Sequence, residues 1–123
     1  MRILVVDDSA SVRARLVALL VREVPGASVY QARDGDEALD LARVERVHVV
    51  ILDLHLPGKS GLEVLSAMKA IPSPPRVLVL TGDPSEHLRR ACLANGAAGF
   101  LDKSTEFARL PEIVRSDTRV PVV

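Results

Sequence analysis

RILVVDDSA, residues 2 to 10, decides the fold, because four apolar residues, Ile3–Val6, run directly into two adjacent acids, Asp7 and Asp8. An unbroken apolar run is typical of a strand that is buried on both faces of a parallel sheet. Two carboxylates at ~4 Å repel each other by about 4 kcal/mol at an effective dielectric constant near 20. The stretch therefore predicts a buried strand whose end lies beside a compensating positive charge.

Similar apolar runs recur along the chain and alternate with segments of helical spacing. The further predicted strands are Ala27–Tyr30, Val47–Leu52, Val77–Leu80 and Ala98–Leu101. Strand followed by helix, five times over, predicts an α/β fold with a doubly wound five-stranded parallel sheet, flavodoxin-like (βα)5, with helices on both faces.

Capping residues predict where these helices begin and end. Ser9 or Ser11 is available as the N-cap of the first helix. Asp34-Gly35 signals the turn before a second helix over Asp36–Val44. Asp83 is the expected N-cap of the fourth helix, with Pro84 at its first position and Asn95-Gly96 at its end. Pro111 breaks the final helix, which predicts a turn at Thr105–Ala108 and a short helix from about Leu110 to Ser116.

Composition limits the function classes. The 123 residues fit one domain, expected to span residues 1–117 with a C-terminal tail at 118–123. Sixteen basic residues balance sixteen acidic ones, which argues against nucleic-acid binding, and Arg13/Arg15 and Arg89/Arg90 fit solvated helix faces. Cys92, the single cysteine, fits a buried thiol and excludes an internal disulfide. No apolar stretch is long enough for a membrane span or a signal peptide, so we expect a cytoplasmic protein.

The polar residues that follow the strands should meet at one edge of the sheet. Ligands of open parallel sheets bind beyond the carboxyl ends of the strands. The residues at these ends are Asp7, Asp8, Asp53, Thr81 and Lys103. Crowded carboxylates without His or Cys partners favour a hard cation, and Mg²⁺ fits best. Beside a metal, a hydroxyl and an ammonium group, Asp53 can accept a phosphoryl group, with Thr81 and Lys103 binding the phosphoryl oxygens.

The chain resembles a response-regulator receiver domain of two-component signalling over essentially its whole length. The motifs that carry the resemblance are VVDDS with the acidic pair, VILDLHLPGKSGLEVL with Asp53 and Gly61, VLVLTGD with Thr81, and GFLDKS with Phe100 and Lys103. Each motif is weak alone, but the set is specific.

The resemblance implies a set of roles for the site. Mg²⁺ would be bound by Asp8, Asp53 and the backbone carbonyl of His55, with Asp7 acting through water. Thr81 and Phe100 would form the switch. The side chains of His55 and Asp83 would flank the path of the hydrolytic water and tune the lifetime of the phosphorylated state.

The implied function is a phosphorylation-controlled switch that catalyses its own phosphorylation and dephosphorylation. A sensor histidine kinase or a phosphotransfer protein would donate the phosphoryl group. A downstream protein target or an output domain would receive the signal, without direct nucleic-acid binding or membrane contact, and a homodimer is compatible with the family. Two departures stand out: Ser104 follows Lys103 where the family commonly has proline, so the geometry of that peptide bond is open, and the last helix is short.

Other function classes remain as alternatives. An aspartyl-phosphate phosphatase of the haloacid-dehalogenase type would carry a second Asp where this chain has His55. A Rossmann module would need a G-x-G-x-x-G turn after the first strand, and a kinase would need a phosphate-binding glycine loop. A non-phosphorylated adaptor with the same fold would have lost some of the polar residues at the edge, yet all five are present.

Overall fold

The computed structural model describes residues 1–116 and contains one parallel sheet of five strands. The strands are β1 (Arg2–Val6), β2 (Ser28–Ala32), β3 (Val49–Leu52), β4 (Arg76–Thr81) and β5 (Gly99–Asp102). They lie in the order β2-β1-β3-β4-β5, so β1 and β3 are the neighbours at which the strand order reverses. The predicted doubly wound, flavodoxin-like sheet is confirmed.

Five α-helices connect and flank the strands. They are α1 (Ala10–Glu23), α2 (Gly35–Glu45), α3 (Gly61–Lys69), α4 (Glu86–Ala94) and α5 (Leu110–Arg115), and a 3-10 turn at Phe107–Arg109 precedes α5. The short last helix begins at Leu110 as predicted, with Pro111 in its first turn, where the missing N–H removes no helical hydrogen bond. The predicted tail at 118–123 lies outside the described residues.

Successive strand residues point to opposite faces and form two apolar clusters. On one face, Leu4, Val50 and Val79 pack with α2, α3 and α4. On the other, Ile3, Ile51 and Leu78 pack with α1 and α5, for example with Leu16 and Leu110. Each fully buried Leu or Ile contributes about 1.5–3 kcal/mol relative to an exposed one. Helices on both faces, as predicted, hold the sheet rigid behind its carboxyl edge.

Side-chain caps fix where the helices begin. Ser9, one of the two predicted candidates, caps α1 by accepting from the N–H of Val12 at 3.3 Å. Asp34 caps α2 through the N–H of Glu37 at 2.9 Å. In α3, Ser60 and Glu63 form a reciprocal capping box.

The predicted start of the fourth helix was wrong by two residues. Ser85, not Asp83, is the N-cap of α4, and its hydroxyl accepts from the N–H of Leu88 at 3.1 Å. Asp83 instead donates its own N–H to the Thr81 hydroxyl, and its carbonyl accepts from Ser85. Pro84 therefore lies in the loop before the helix. The predicted helix end at Asn95-Gly96 is confirmed, since Asn95 is the C-cap and Gly96 has φ +94°.

Strand ends differ from the sequence-based expectation by one or two residues. β3 begins at Val49 rather than at Val47. His48 still joins the neighbouring strands through its backbone, since its N–H donates to Arg2 and its carbonyl accepts from Arg76. The Lys103–Ser104 peptide is trans, as are the other peptide bonds of residues 1–116. None of the helices in this range is long and apolar enough to cross a bilayer.

Candidate functional site

The two acids after β1 have very different environments. Asp7 is buried, with only 2% of its surface exposed, whereas Asp8 is exposed. Asp7 Oδ1 accepts from the N–H of Ser9 at 2.9 Å, and Asp7 Oδ2 lies 2.8 Å from the ammonium group of Lys103. A buried carboxylate is tolerated only when it is paired and hydrogen-bonded, and Asp7 is both.

Asp53 follows β3 and is also buried, with 5% exposure. Its backbone N–H donates to the carbonyl of Val6, which places it beside the end of β1. Its Oδ1 accepts from the N–H of His55 at 3.2 Å. Burial raises the pKa of the Asp53 carboxyl, and the negative charge of Asp7 raises it further, while the His55 N–H and the Lys103 ammonium oppose the shift.

Lys103 bridges the two buried acids. Its Nζ lies 2.8 Å from Asp7 Oδ2 and 3.5 Å from Asp53 Oδ2, and its side chain is 24% exposed. Burial alone would lower the pKa of this ammonium, but the hydrogen bond to Asp7 and the two carboxylate charges outweigh it and raise the pKa. The lysine therefore stays charged and offsets part of the repulsion between the acids.

Three carboxylates converge closely enough to bind one cation. One oxygen each from Asp7, Asp8 and Asp53 lie within 4.8 Å of one another. The donor set contains only carboxylate oxygens, and Asp8 leaves one side open to water. A hard cation that keeps several water ligands fits this arrangement. We refer to these three acids together with Lys103 as the acidic rim.

Thr81 ends β4, between the strands that carry Asp53 and Lys103. The residue is fully buried, and its Oγ1 accepts from the N–H of Asp83 at 3.1 Å. Its carbonyl accepts from the N–H of Lys103 at 2.8 Å, which ties the threonine to the lysine through the backbone. The hydroxyl thus keeps its own hydrogen for an acceptor, but in this state it is engaged by the loop rather than by Asp53.

The remaining predicted residues are not part of the acidic rim. The backbone of His55 contacts Asp53 while the residue as a whole is exposed, and Asp83 is exposed as well. Phe100 lies on β5, opposite Val79 in the register, and packs half-buried against the cluster that contains α2, α3 and α4.

Cys92 is fully buried, as expected for an unreactive thiol, and burial raises its pKa.

One residue that supports the site, Arg13, was missed by sequence reasoning. The guanidinium of Arg13 donates to the Asp7 carbonyl at 2.7 Å and to Gln31 Oε1 at 3.2 Å. Its neighbour Arg15 stacks over the ring of Phe107, 4.7 Å from the centroid. Arg15 is exposed, as its assignment to a solvated helix face predicted, whereas Arg13 is half-buried and makes specific hydrogen bonds. Ser9 was recognised as a cap, and its N–H to Asp7 follows from the same turn.

Comparison with known families agrees with this geometry. The profile of the response regulator receiver domain matches residues 3–115. A curated relative, the BvgA virulence transcription regulator of Bordetella pertussis, is 38% identical over 103 residues, which cover 83% of this chain and 48% of the relative. The chain thus spans about half the length of that relative.

Solved structures show the same architecture. The response regulator domain of Thermotoga maritima CheB superposes with a TM-score of 0.83 at 28% identity, covering 99% of this chain and 98% of that one. A response regulator from Burkholderia pseudomallei has a TM-score of 0.75 at 30% identity, covering 99% of this chain and 76% of that one. That structure contains a phosphorylated aspartic acid and a calcium ion.

Proposed function

The chain belongs to the response regulator receiver domain family, whose members are phosphoacceptor switches of two-component signalling, and we propose that Asp53 is its phosphoacceptor. The observation that carries this proposal is the acidic rim itself. Asp53 lies within 4.8 Å of two further acids and 3.5 Å from a lysine ammonium, at the edge of the sheet where the strand order reverses. Asp7 is paired more tightly with Lys103, at 2.8 Å, which leaves Asp53 the freer nucleophile.

The transfer step follows from these positions. A carboxylate oxygen of Asp53 forms a bond to phosphorus while the bond from phosphorus to the donor breaks, and the electron pair of that bond leaves with the donor. Asp8, Asp53 and the backbone carbonyl of His55 would hold a magnesium ion, with Asp7 acting through water, and the ion would supply charge neutralisation. Lys103 pairs with one phosphoryl oxygen, and Thr81 donates its hydroxyl hydrogen to another.

Phosphorylation also changes the partners of the switch residues. In the unphosphorylated structure the Thr81 hydroxyl accepts from the N–H of Asp83, and a phosphoryl oxygen on Asp53 would draw this hydroxyl toward Asp53. Because Phe100 is only half-buried, it can turn inward to fill the space that the threonine leaves. The result is a shift between two populated states, driven by new charge-assisted hydrogen bonds.

The test uses a small phosphodonor such as acetyl phosphate with Mg²⁺. We expect one base-labile acyl phosphate on the parent chain by intact mass spectrometry, and none without the metal. Asp53→Asn should remain unmodified, whereas Asp40→Asn, which removes an acid that is 80% exposed on α2, should be modified like the parent. Equal modification of Asp53→Asn and the parent would refute the assignment.

The exposed side chains of His55 and Asp83 are proposed to set the lifetime of the phosphorylated state. They lie two residues beyond the acceptor and two beyond the threonine, where they can contact the attacking water. We expect His55→Ala and Asp83→Ala each to change the rate of dephosphorylation several-fold. His87→Ala, at an exposed position on α4, is the matched control. Rates that match the control in both variants would exclude this role.

A sensor histidine kinase or a phosphotransfer protein is the proposed donor, and a downstream protein or an output domain is the proposed receiver of the signal. The family supports this coarse assignment, since the relatives include transcription regulators. We further propose that the domain itself acts through protein contacts rather than nucleic acid, because its charges balance. Size-exclusion chromatography of the phosphorylated and unphosphorylated forms would show whether it dimerises.

A further inference from the structure

A cavity of about 810 Å³ lies at the edge of the sheet opposite the acidic rim. Arg2 begins β1, His48 directly precedes β3, and residues 71–74 lead into β4, so the cavity opens at the amino ends of three adjacent strands. Its volume falls within the range of about 300–1,000 Å³ that is typical of small-molecule sites. We propose that this cavity, the basic pocket, binds a small organic phosphate.

Three arginines give the basic pocket a positive charge. Arg2 is held in place because its guanidinium donates to the carbonyls of Glu45 at 2.8 Å and Arg46 at 3.2 and 3.1 Å. Arg43 has only a distant ion pair with Asp40, at 3.9 Å between two exposed side chains. The Arg46 side chain makes no ion pair or hydrogen bond within residues 1–116. Among the described residues that line the pocket, three are arginines and none is acidic.

Backbone strain is concentrated at the same place. Among the residues that the structure describes, Arg46 and Ser73 are the two non-glycine residues with positive φ, at +50° and +55°. Both line the basic pocket. Arg46 is the C-cap of α2, a place where glycine is favoured because it adopts this conformation without steric strain. An arginine there carries a backbone strain that glycine would avoid, which is consistent with a role for its guanidinium at the pocket.

The walls favour an organic anion over a bare one. Ala42, Val47 and Ile71 are buried and line the cavity, together with Pro72 and Pro74. An arginine fork matches the oxygens of a phosphate and can hold two of them at once. Apolar walls and prolines accommodate a flat or apolar body attached to the phosphate. The predicted ligand class is therefore a phosphate monoester of about mononucleotide size.

Comparing AMP with adenosine and with inorganic phosphate tests separately whether the pocket recognises the phosphate group and the organic body attached to it. Each is titrated into the ¹⁵N-labelled protein in phosphate-free Tris buffer treated with a chelating resin, so that no divalent metal draws phosphate to the acidic rim. We expect AMP to shift the amide signals of residues 42–48 and 71–74, with higher affinity than either adenosine or phosphate. Three results would each overturn the proposal. These are a failure of AMP to bind at millimolar concentration, binding of AMP no tighter than that of adenosine or phosphate alone, and shifts confined to the acidic rim.

Variants identify the arginines that bind the ligand. We expect Arg46→Gln and Arg43→Gln each to weaken AMP binding about tenfold, the loss of one charge-assisted contact. Arg90→Gln removes an arginine that is 80% exposed on α4 and should bind AMP like the parent. Arg46→Gly should bind AMP as weakly as Arg46→Gln while unfolding at a higher temperature, because the strain at φ +50° is relieved. AMP affinity unchanged in both Arg46 variants would overturn the assignment.

Discussion

Replacing Lys103 by methionine tests how the acidic rim is held together without metal. The ammonium lies 2.8 Å from Asp7 and 3.5 Å from Asp53, which gives gross attractions of about 6 and about 5 kcal/mol at an effective dielectric constant of 20. The cost of removing the lysine and both acids from water offsets most of this. Because the acids stay buried after the substitution, we expect a net loss of about 3 kcal/mol in the free energy of unfolding, as for other broken buried pairs.

Urea unfolding at pH 7.5 in metal-free buffer measures this loss, and Lys59→Met is the matched control. Lys59 also lies 2.8 Å from an acid, Asp36, but these side chains are 43% and 79% exposed, so water screens their attraction and its loss should destabilise the fold far less. Saturating Mg²⁺ should recover part of the loss in Lys103→Met, because the cation replaces the missing charge. Equal destabilisation of the two variants would refute the reasoning.

The difference in the free energy of unfolding between the parent and Lys103→Met should depend on pH. The folded-state pKa of Lys103 is raised above the ordinary lysine value of 10.5. The pairing therefore stabilises the fold fully below pH 10.5 and is lost as the pH rises through the raised pKa. The difference in stability between the parent and Lys103→Met should stay constant from pH 7 to about pH 10 and shrink above it. A difference that grows above pH 10 would contradict this account.

Three further predictions concern the metal, the turn after the acceptor and the switch. Asp8→Asn should lower the affinity for Mg²⁺ at least about tenfold in thermal melts without destabilising the metal-free fold, because a repelling charge is lost; an unchanged response to the metal would contradict it. Gly61→Ala should lower the free energy of unfolding by about 1–3 kcal/mol and slow phosphorylation, because the added Cβ would lie 2.4 Å from Leu54 Cα. Gly82→Ala is the control: its Cβ would meet no atom within 4 Å, and the variant should behave like the parent. Phe100→Ala should be phosphorylated at a rate within about twofold of the parent rate, yet bind its downstream partner more weakly. A pull-down that compares the variant with the parent measures this binding, and undiminished binding would exclude a role of Phe100 in transmitting the signal.

The sequence predicted the sheet because buried parallel strands leave a simple signature. Val50 and Leu52 point to one face and Ile51 to the other, and since both faces are covered by helices the run contains no polar residue. The convergence of Asp53 with the acidic pair followed in turn, because parallel strands present their carboxyl ends at one edge. The resemblance to receiver domains supplied expectations that this geometry could not, such as the switch role that we predict for Phe100.

Local hydrogen bonds decided what the sequence could not. Asp83 and Ser85 are both good N-caps, but the Asp83 carbonyl accepts from the N–H of Ser85, within a turn, whereas the Ser85 hydroxyl accepts from the N–H of Leu88 and caps the helix. The positive φ of Arg46 could not be predicted either, because arginine, unlike glycine or asparagine, does not signal the end of a helix. The partner of Arg13 is a backbone carbonyl, to which no sequence pattern points.

The contact between Lys103 and Asp7 joins residues 96 positions apart in the chain. During synthesis, the acids after β1 and β3 emerge from the ribosome long before the lysine that compensates them. Such distant contacts form late, because the entropy of closing the long loop opposes them. Until β5 takes its place beside β4, a growing chain therefore lacks the lysine that pairs with Asp7 and Asp53. Under the role proposed for Asp53, a chain whose fifth strand is not yet in place would lack one of the groups that bind the phosphoryl oxygens and would accept a phosphoryl group poorly.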